Sequence, residues 1–466
     1  MKKILLAAVS ALIAGLTSPL FPLPRIGGEV EVYGSAGLNT EDISRASVRA
    51  DAELRHAFNE TEIVVRLRAE EDSVRINNPE RSNPYDSKDP DDFFSHARIY
   101  LREAYINQDF YFDRGISSIS LKAGKIIHTW GSCDEVKPVD ILNPQDLSFL
   151  FMKPLQERKY AMYSAMLSIF ITESIFLEGV VLPQFVAHDP GSRVFVPNMI
   201  DEFDALSSTP GLNTSMDNAK YPPKKLSDMS YGARFGFTVF DIDAHLNYFW
   251  GYDHWPVYKG YLTVNSLSPL DANYAVKAHY KLLQMFGMDF QRAIKWGLAV
   301  RGEFAYFERG KYFDLERDSG SLTSMITSAY GRDLLAGGDG VVEKDQIRYT
   351  VGFDVTDLFT DNLYFNFQFN QEIIIDYEND IADDEFSHLL VWTLEYSFLR
   401  EKARVKFRGF LFINDLDFAG NLEFKYNIGA NYEVAAGVWL IEGSRDGTYG
   451  QFGRHDLVYV SGKATF

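Results

Sequence analysis

Strict alternation of apolar and polar residues is the feature that most limits how this chain can fold. In the last ten residues, one face of a predicted strand carries Val458, Val460, Gly462, Ala464 and Phe466, and the other carries Leu457, Tyr459, Ser461, Lys463 and Thr465. Successive side chains of a strand point to opposite faces, so the first face suits lipid and the second suits a water-filled lumen. The same period of two recurs upstream, for example over residues 45–55, 231–239, 363–370, 404–411 and 422–428.

A membrane-spanning sheet explains this pattern better than a soluble sandwich does. Full charges occupy the polar faces over the whole length of long strands, which a sandwich does not require. After residue 17 the chain contains no run of about 18 apolar residues, the length that a membrane-spanning helix needs. Only helices and closed barrels pair all their backbone groups within a bilayer. Aromatic residues make up 15 % of the chain and are predicted to form girdles at the two interfaces. The girdle residues named by the pattern are Tyr248, Phe249, Trp250, Tyr306, Phe307, Phe398 and Phe412.

The spacing of the connections predicts the number of strands. Short turns are expected near residues 58–61, 170–174, 240–241, 356–362, 399–402 and 429–431, with longer connections between them. Bacterial barrels alternate short periplasmic turns with long outer loops. Counting hairpins predicts an all-β transmembrane antiparallel barrel of about 18 strands, with both termini in the periplasm and long extracellular loops partly folded into the lumen. The phase is imperfect over residues 98–110, and residues 285–293 are open to interpretation as a long turn.

The two ends of the chain fit export and membrane insertion. Lys2 and Lys3 precede an apolar run over residues 4–16, a pattern that predicts a secretory signal peptide at residues 1–18. The barrel is predicted over residues 26–466, in the bacterial outer membrane. Its expected partners are outer-membrane lipid, lipopolysaccharide and, during insertion, the barrel-assembly machinery that recognises the strand ending in Phe466. A net charge of −19 argues against a nucleic-acid partner, and the oligomeric state is left open.

The segment from Leu121 to Leu147 is the most distinctive one. Its strand ends in Gly124-Lys125, and Trp130-Gly131, Asp134 and Asn143-Pro144 follow. The segment resembles a family of Gram-negative outer-membrane porin-like β-barrels, mostly uncharacterised, that carry Gly-Lys/Arg, Trp-Gly, Asp and Asn-Pro in this order. Residues 101–105 and 177–183 resemble the strands on either side. The resemblance covers residues 98–185 and implies a porin or transport barrel, related in architecture to alginate-export porins of 18 strands.

Residues 128–160 are predicted to be a folded loop that narrows the pore, and residues 185–228 are predicted to be a second loop that constricts it. The charges of residues 128–160 can pair with charged residues on the inward strand faces, and this loop then either contacts a solute or simply packs and closes the lumen. The inward faces are mixed in sign with a basic lean. The candidates for pore-lining or constriction residues are Arg45, Arg49, Arg66, Arg68, Lys122, Lys125, Trp130, Asp134, Asp140, Asn143, Arg234, Arg301, Arg404 and Arg408.

The charged inner face and the long loops favour a porin for passive or facilitated diffusion of a small polar or amphiphilic solute. A transporter for hydrophobic molecules or lipids is the first alternative, with an apolar entry formed by Leu147, Phe149, Leu150, Phe151 and Met152. An outer-membrane hydrolase is the second alternative, but the nine His residues are scattered and an enzyme is not expected. No catalytic residue, metal-ligand set or cofactor is predicted. Leu322, Met325, Ile326 and Tyr330 have helical spacing and predict a short helix that caps the pore.

Overall fold

The computed structural model describes residues 24–38, 43–76, 98–147, 152–189, 206–223, 225, 228–316, 322–444, 447–450 and 456–466. The predicted signal peptide, residues 1–18, lies outside these ranges. The strands in chain order are β1 Arg25–Gly37, β2 Ile43–Phe58, β3 Thr61–Ile76, β4 Arg98–Tyr111, β5 Ser118–Ile126, β6 Met162–Thr172, β7 Ile175–Leu182, β8 Leu212–Lys220, β9 Ser230–Val239, β10 Ile242–Tyr252, β11 Val257–Leu267, β12 Leu270–His279, β13 Leu282–Ala293, β14 Leu298–Asp314, β15 Val341–Val355, β16 Leu363–Ile374, β17 Phe386–Phe398, β18 Ala403–Phe412, β19 Asp417–Ile428, β20 Tyr432–Glu442 and β21 Leu457–Thr465. The helices are α1 Leu155–Arg158, α2 Leu322–Thr327 and α3 Ala329–Leu335.

A single sheet of 18 antiparallel strands contains every strand except β8, β11 and β12, and it closes on itself. Each strand pairs with the next barrel strand along the chain, and β1 closes the ring by pairing with both β2 and β21. Gly28 and Phe466 exchange two backbone hydrogen bonds of 3.0 Å at this seam. The predicted fold class is therefore confirmed, and closure leaves no barrel edge unpaired.

The two ends of the barrel differ in their connections. Phe466 and the start of β1 lie at one end, where residues 59–60, 173–174, 240–241, 399–402 and 429–431 form tight turns between strands. The connections at the opposite end are mostly longer. We refer to these as the short-turn end and the long-loop end. The turns predicted from the sequence all fall at the short-turn end, which confirms the hairpin spacing.

The two faces of the strands follow the predicted alternation. On β21, Val458 and Val460 point outward and are exposed, whereas Tyr459 points inward, is buried and stacks on Tyr33 with ring centroids 5.6 Å apart. Large apolar side chains also project at the short-turn end, where Trp296 is 90 % and Phe359 95 % exposed. An outer surface of this composition requires lipid as its solvent.

Three of the predicted girdle residues are wrong. Phe412 faces the lumen, where it packs against the buried cluster of Phe410 and Trp439. Phe249 and Phe307 are buried inside the barrel, in an apolar cluster that also contains Trp130 and Met285. In a strand, neighbouring residues cannot share a face. A run of consecutive aromatic residues such as 248–250 therefore places its middle ring in the lumen, where the sequence pattern had assigned it to the interface.

The irregular phase over residues 98–110 has a structural cause. Arg66 of β3 pairs with Glu103 of β4, but the next residue, Leu67, pairs with Leu101, so Arg102 is an extra residue in a β-bulge. The bulge shifts the outward face from odd-numbered to even-numbered positions. The alternative interpretation of residues 285–293 as a long turn is wrong, because β13 is a barrel strand that pairs with β10 and β14.

A separate layer, which we call the outer layer, lies at the long-loop end. The hairpin of β11 and β12 extends from the connection between β10 and β13, and β8 joins it in parallel to β12. Helices α2 and α3 pack against this sheet around Tyr274, Met325, Tyr330 and Leu334, which are all buried. The helical spacing predicted from residue 322 onward is confirmed. The role of these helices as a cap over the pore stays a prediction.

Candidate functional site in the barrel lumen

The connection between β5 and β6, residues 127–161, turns into the barrel, and we call it the lumen loop. Its neck is closed by Asn143. The side-chain oxygen of Asn143 accepts a hydrogen bond from the backbone N–H of His128 (2.7 Å), and its amide nitrogen donates to the carbonyl of Tyr160 (2.7 Å). One side chain therefore ties the start of the lumen loop to its end, which explains why the loop is a compact unit.

A buried ion pair lies just inside the neck. Lys159, only 1 % exposed, pairs with Asp140 and donates to the carbonyl of His128 at 3.0 Å. Asp140 also accepts from the backbone N–H of Trp130 (3.3 Å). Burial lowers the pKa of Lys159, whereas Asp140 acts in the opposite direction. Buried charges persist only when they are paired and hydrogen-bonded, so this pair fixes the base of the lumen loop.

The tip of the lumen loop reaches the opposite wall of the barrel. Asp134 pairs with Arg301 of β14 and accepts from the side-chain amide of Asn366 of β16, each at 2.8 Å. Glu135 pairs with Arg408 of β18 at 2.9 Å. Nine successive strand pairings lead from β6, where the lumen loop ends, to β18. Because the barrel has 18 strands, β18 lies halfway round it, and the lumen loop crosses the lumen.

The backbone of the tip also wraps around a carboxylate of the wall. Glu303 of β14 accepts hydrogen bonds from the N–H groups of Cys133 (2.7 Å) and Val139 (3.4 Å). Gly131 has φ +80°, and a Cβ atom there would lie 2.4 Å from Oε1 of Glu303. Glycine is required at this position for two reasons: it adopts the positive φ without strain, and it leaves room for the wall carboxylate.

The return limb of the lumen loop is held by three arginines. Oε2 of Glu157, in α1, lies 3.0 Å from Arg49 of β2, 3.0 Å from Arg68 of β3 and 3.8 Å from Arg102 of β4. We call these three guanidinium groups the arginine cradle. Burial alone would raise the pKa of Glu157, but the three cations outweigh it and hold that pKa below its usual range. The loop is thus bound electrostatically at both sides of the lumen.

Cavities lie on both sides of the lumen loop. The inner cavity, of about 560 Å³, lies between the loop and strands β1 to β4, next to Arg66, Tyr105 and Glu157. The outer cavity, of about 140 Å³, lies between the loop and the wall, next to Lys137, Trp255 and Arg348. A further space of about 340 Å³, also lined by Trp255 and Arg348, lies towards the long-loop end. The loop therefore leaves a cavity between itself and the wall on each of its two sides.

The structure divides the candidate residues into three groups. Arg301, Arg408, Arg49 and Arg68 contact the lumen loop from the wall, and Asp134 contacts the wall from the loop. Trp130, Asp140 and Asn143 are buried in the base of the loop. The others contact wall groups: Arg45 lies over the ring of Tyr33, Arg66 pairs with Glu103, Lys122 lies over the ring of Tyr105, Lys125 donates to the carbonyl of Leu101, Arg234 pairs with Asp289 and Arg404 pairs with Glu433.

Sequence reasoning missed three residues that organise this site. Arg102 was hidden by the bulge in β4, because its position breaks the alternation that assigns inward residues. Glu157 and Lys159 belong to a charged run, Glu157-Arg158-Lys159, within a loop. When a loop is predicted to fold into a barrel, a run of charges within it indicates residues that pair with the wall, because buried charges need partners.

A Ser–His pair also occurs in the lumen. Nε2 of His128 lies 2.8 Å from Oγ of Ser164, and both side chains are buried. Burial, followed by the positive charges of Lys122 and Lys159, lowers the pKa of His128 to about 4. A buried hydroxyl cannot meet a substrate, so this pair supplies no argument for the hydrolase alternative.

In the described part of the chain, no helix has both the length and the apolar composition needed to cross a bilayer. Within the same ranges, no three His, Cys, Asp or Glu side chains are grouped in a way that could bind a metal ion.

The fold and the lumen loop together define the class of protein, which is an outer-membrane β-barrel with a loop folded across its lumen. Within this class, the chain belongs to the family described as "Protein of unknown function (DUF1302)", whose model matches residues 34–386. The location of such a barrel is the bacterial outer membrane. A comparison with curated proteins gives no significant match.

Several solved structures are similar to this chain at low sequence identity. OccAB1 of Acinetobacter baumannii is 9 % identical with a TM-score of 0.51, covering 95 % of this chain and 96 % of that chain. OccK5 (OpdH) of Pseudomonas aeruginosa is 9 % identical with a TM-score of 0.48, covering 95 % and 98 %. The outer membrane channel DcaP of Acinetobacter baumannii is 8 % identical with a TM-score of 0.43, covering 97 % and 99 %. The predicted relation to alginate-export porins stays a prediction.

Proposed function

We propose that this protein is an outer-membrane channel for the passive or facilitated diffusion of a small polar or amphiphilic solute. The lumen loop is its constriction, and the solute passes between the outer cavity and the inner cavity along the edges of the loop. The observation that carries this proposal is the course of the loop, which crosses the lumen but leaves a cavity on each side of it.

The charges at the constriction support a polar solute. The loop contributes Asp134, Glu135 and Glu157, and the wall contributes arginines that pair with them. Rings of paired charges in a narrow, wet passage select solutes by size and polarity, and they weaken the passage of apolar molecules.

The outer surface supports two kinds of partner for the folded chain. The exposed apolar side chains on the outward strand faces require lipid. We propose lipopolysaccharide as the outer-leaflet component around the long-loop end. The terminal residue Phe466 is exposed on the outer face of the seam between β1 and β21. This position supports the proposal that barrel-assembly machinery recognises the last strand during insertion.

Electrical conductance in planar bilayers tests the channel function. Arg408→Gln removes the ion-pair partner of Glu135 at the far wall and is expected to loosen the tip of the lumen loop, because a half-buried carboxylate loses its direct contact with the wall. We expect stable conductance steps from the wild-type protein and larger or more frequently switching steps from this variant. Arg404→Gln is the matched control, since Arg404 lies on the same strand and pairs with Glu433 of β20.

The two variants make the result decisive. Wild-type conductance in Arg404→Gln together with altered conductance in Arg408→Gln would support the lumen loop as the constriction. A wild-type protein that inserts into bilayers but never conducts would overturn the proposal. Heat-modifiable mobility in gels shows for each variant that the barrel has folded.

A transporter for hydrophobic molecules is the second candidate, and one observation favours it. An apolar cluster lines the wall from β17 to β21 and includes Phe410, Trp439 and Tyr459, with Met152 of the lumen loop packed against it. Residues 149–151 of the predicted apolar entry lie outside the described residues, and Leu147 is buried. A protein that is silent in bilayers and copurifies with lipid would favour this candidate over the channel.

A further inference from the structure

The arginine cradle has the geometry of an anion-binding site. Two guanidinium groups lie 3.0 Å from one carboxylate oxygen of Glu157, and a third lies 3.8 Å away. Guanidinium groups bind carboxylates through short, charge-assisted hydrogen bonds whose geometry is largely preset by the planar fork. The side chains of Arg68 and Arg102 are 6 % and 11 % exposed, so they are also held in place by their surroundings.

The three arginines differ in how much they depend on Glu157. Arg49 also pairs with Glu29 and Glu31, and Arg68 also pairs with Asp51, all on the wall. Arg102 has Glu157 as its carboxylate partner within the described residues, and it also donates to the carbonyl of Gln156 at 2.9 Å. If Glu157 moved away, Arg102 would therefore be left as a largely desolvated cation without a counter-ion.

The cradle faces open space on one side. The inner cavity of about 560 Å³ is lined by Arg68, Arg102 and Glu157 together with Tyr105 and Thr129. Four wall carboxylates also line it, and each pairs with an arginine of the wall: Glu29 with Arg49, Asp51 with Arg68, and Glu53 and Glu103 with Arg66. A small solute in this cavity reaches the same guanidinium groups that Glu157 occupies. The ring of Tyr105 and the hydroxyl of Thr129 give the cavity an apolar surface and a hydrogen-bonding group beside the charges.

We propose that the arginine cradle is the binding site of the channel for carboxylate-bearing solutes, and that Glu157 occupies it in place of a solute carboxylate. That solutes reach this site by diffusing through the barrel rests on the proposed channel function, whereas carboxylate binding at the site does not. A solute carboxylate that enters the inner cavity displaces Glu157, takes over its ion pairs with Arg68 and Arg102, and thereby detaches the return limb of the lumen loop.

The tether of Glu157 sets how strongly it competes with a free carboxylate for the arginine cradle. A carboxylate tethered on a short loop acts at an effective concentration on the order of millimolar, so a free solute competes only near or above that concentration in the wild-type protein. Removing the charge of Glu157 removes the resident competitor. Affinity for a free carboxylate is then expected to rise by about tenfold or more.

Calorimetric titration of the folded protein in detergent with benzoate tests the proposal directly. Benzoate is a monocarboxylate that fits the inner cavity, and benzamide is its uncharged control of the same shape. We expect Glu157→Gln to bind benzoate about tenfold more tightly than the wild type does, and neither protein to bind benzamide. Adding Arg102→Gln to Glu157→Gln should abolish binding. Adding Arg55→Gln should not, because Arg55 pairs with Glu53 and Glu62 outside the cradle.

Equal benzoate affinity in the wild type and Glu157→Gln would overturn the proposal, as would equal binding of benzoate and benzamide. If Glu157→Gln does not fold, conductance of the native sequence supplies a second measurement. Benzoate but not benzamide should change the wild-type conductance, and Arg102→Gln should remove this effect. Conductance that ignores benzoate contradicts the cradle alone, whereas no conductance under any condition contradicts the channel.

Discussion

Gly131 shows how one residue determines where the lumen loop can lie. Its φ of +80° and its close approach to Glu303 allow the tip to wrap around the wall carboxylate. Gly131→Ala should cost about 1–2 kcal/mol for the left-handed backbone alone, and the new methyl group would also push the carboxylate away. We expect the tip to detach from β14 while the barrel still folds.

The lone cysteine provides the measurement for Gly131→Ala. Cys133 is buried, and its burial raises the pKa of the thiol, so labelling by a maleimide should be slow in the wild type. Labelling should accelerate in Gly131→Ala. Gly115→Ala is the control, because Gly115 has a similar φ of +84° with open space around it. Equal labelling rates in the two variants would contradict the role assigned to Gly131.

His128 makes the stability of the loop base dependent on pH. Burial and the nearby lysines lower its pKa from 6.5 to about 4, so the folded protein keeps His128 neutral where the unfolded chain protonates it. Stability should therefore fall as the pH is lowered through the range between 6.5 and about 4, with a slope for this residue of at most about 1.4 kcal/mol per pH unit.

The test for His128 compares urea unfolding of the wild type and His128→Gln at several pH values within that range. The variant should be less stable than the wild type near neutrality, because it changes the contact with Ser164. Its stability should nevertheless depend less on pH. An unchanged slope would show that His128 is not buried in its neutral form.

At the scale of secondary structure elements, alternation predicted most strands and failed where β4 contains an extra residue. A strict period of two gives the wrong face for residues after a bulge. The extra residue moves each later side chain of the strand to the opposite face. The bulge is also what brings Arg102 into the lumen beside Glu157. Strands β8, β11 and β12 lie outside the barrel and pair only with one another.

Two single-residue deletions in β4 test the bulge. Deleting Arg102 should restore regular pairing, because Glu103 and Leu101 then alternate as their partners Arg66 and Leu67 do. Deleting Leu101 should instead force Arg102 opposite Leu67 on the lipid face, at a cost of up to about 2–4 kcal/mol. Heat-modifiable mobility should therefore be kept by the first deletion and weakened by the second. The opposite order would contradict the bulge.

At the scale of the whole molecule, the barrel and the outer layer have separate cores. The barrel is held by its closed ladder of backbone hydrogen bonds, whereas the outer layer depends on a small apolar core. Leu334 is 4 % exposed in that core, and its neighbour Leu335 is 57 % exposed. A substitution in the core should loosen the outer layer and leave the barrel intact.

Leu334→Ala is predicted to cost the outer layer about 2–5 kcal/mol, as for other buried leucines, and Leu335→Ala should cost little. Limited proteolysis should cut near residues 206–223 and 322–335 in Leu334→Ala, while heat-modifiable mobility stays as in the wild type. Loss of that mobility in Leu334→Ala would show that the two cores are coupled.

The sequence by itself determined the membrane-spanning closed sheet, its approximate strand number and its turns. These follow from local rules, since the period of side chains along a strand and the length of each connection are properties of short segments. The sequence also pointed to residues 128–160 as a loop within the lumen. It could not name the partners of that loop, because Asp134 meets Arg301 and Glu157 meets Arg68 across separations of many residues. Which charges face one another is decided by strand register and barrel closure, and those are tertiary properties.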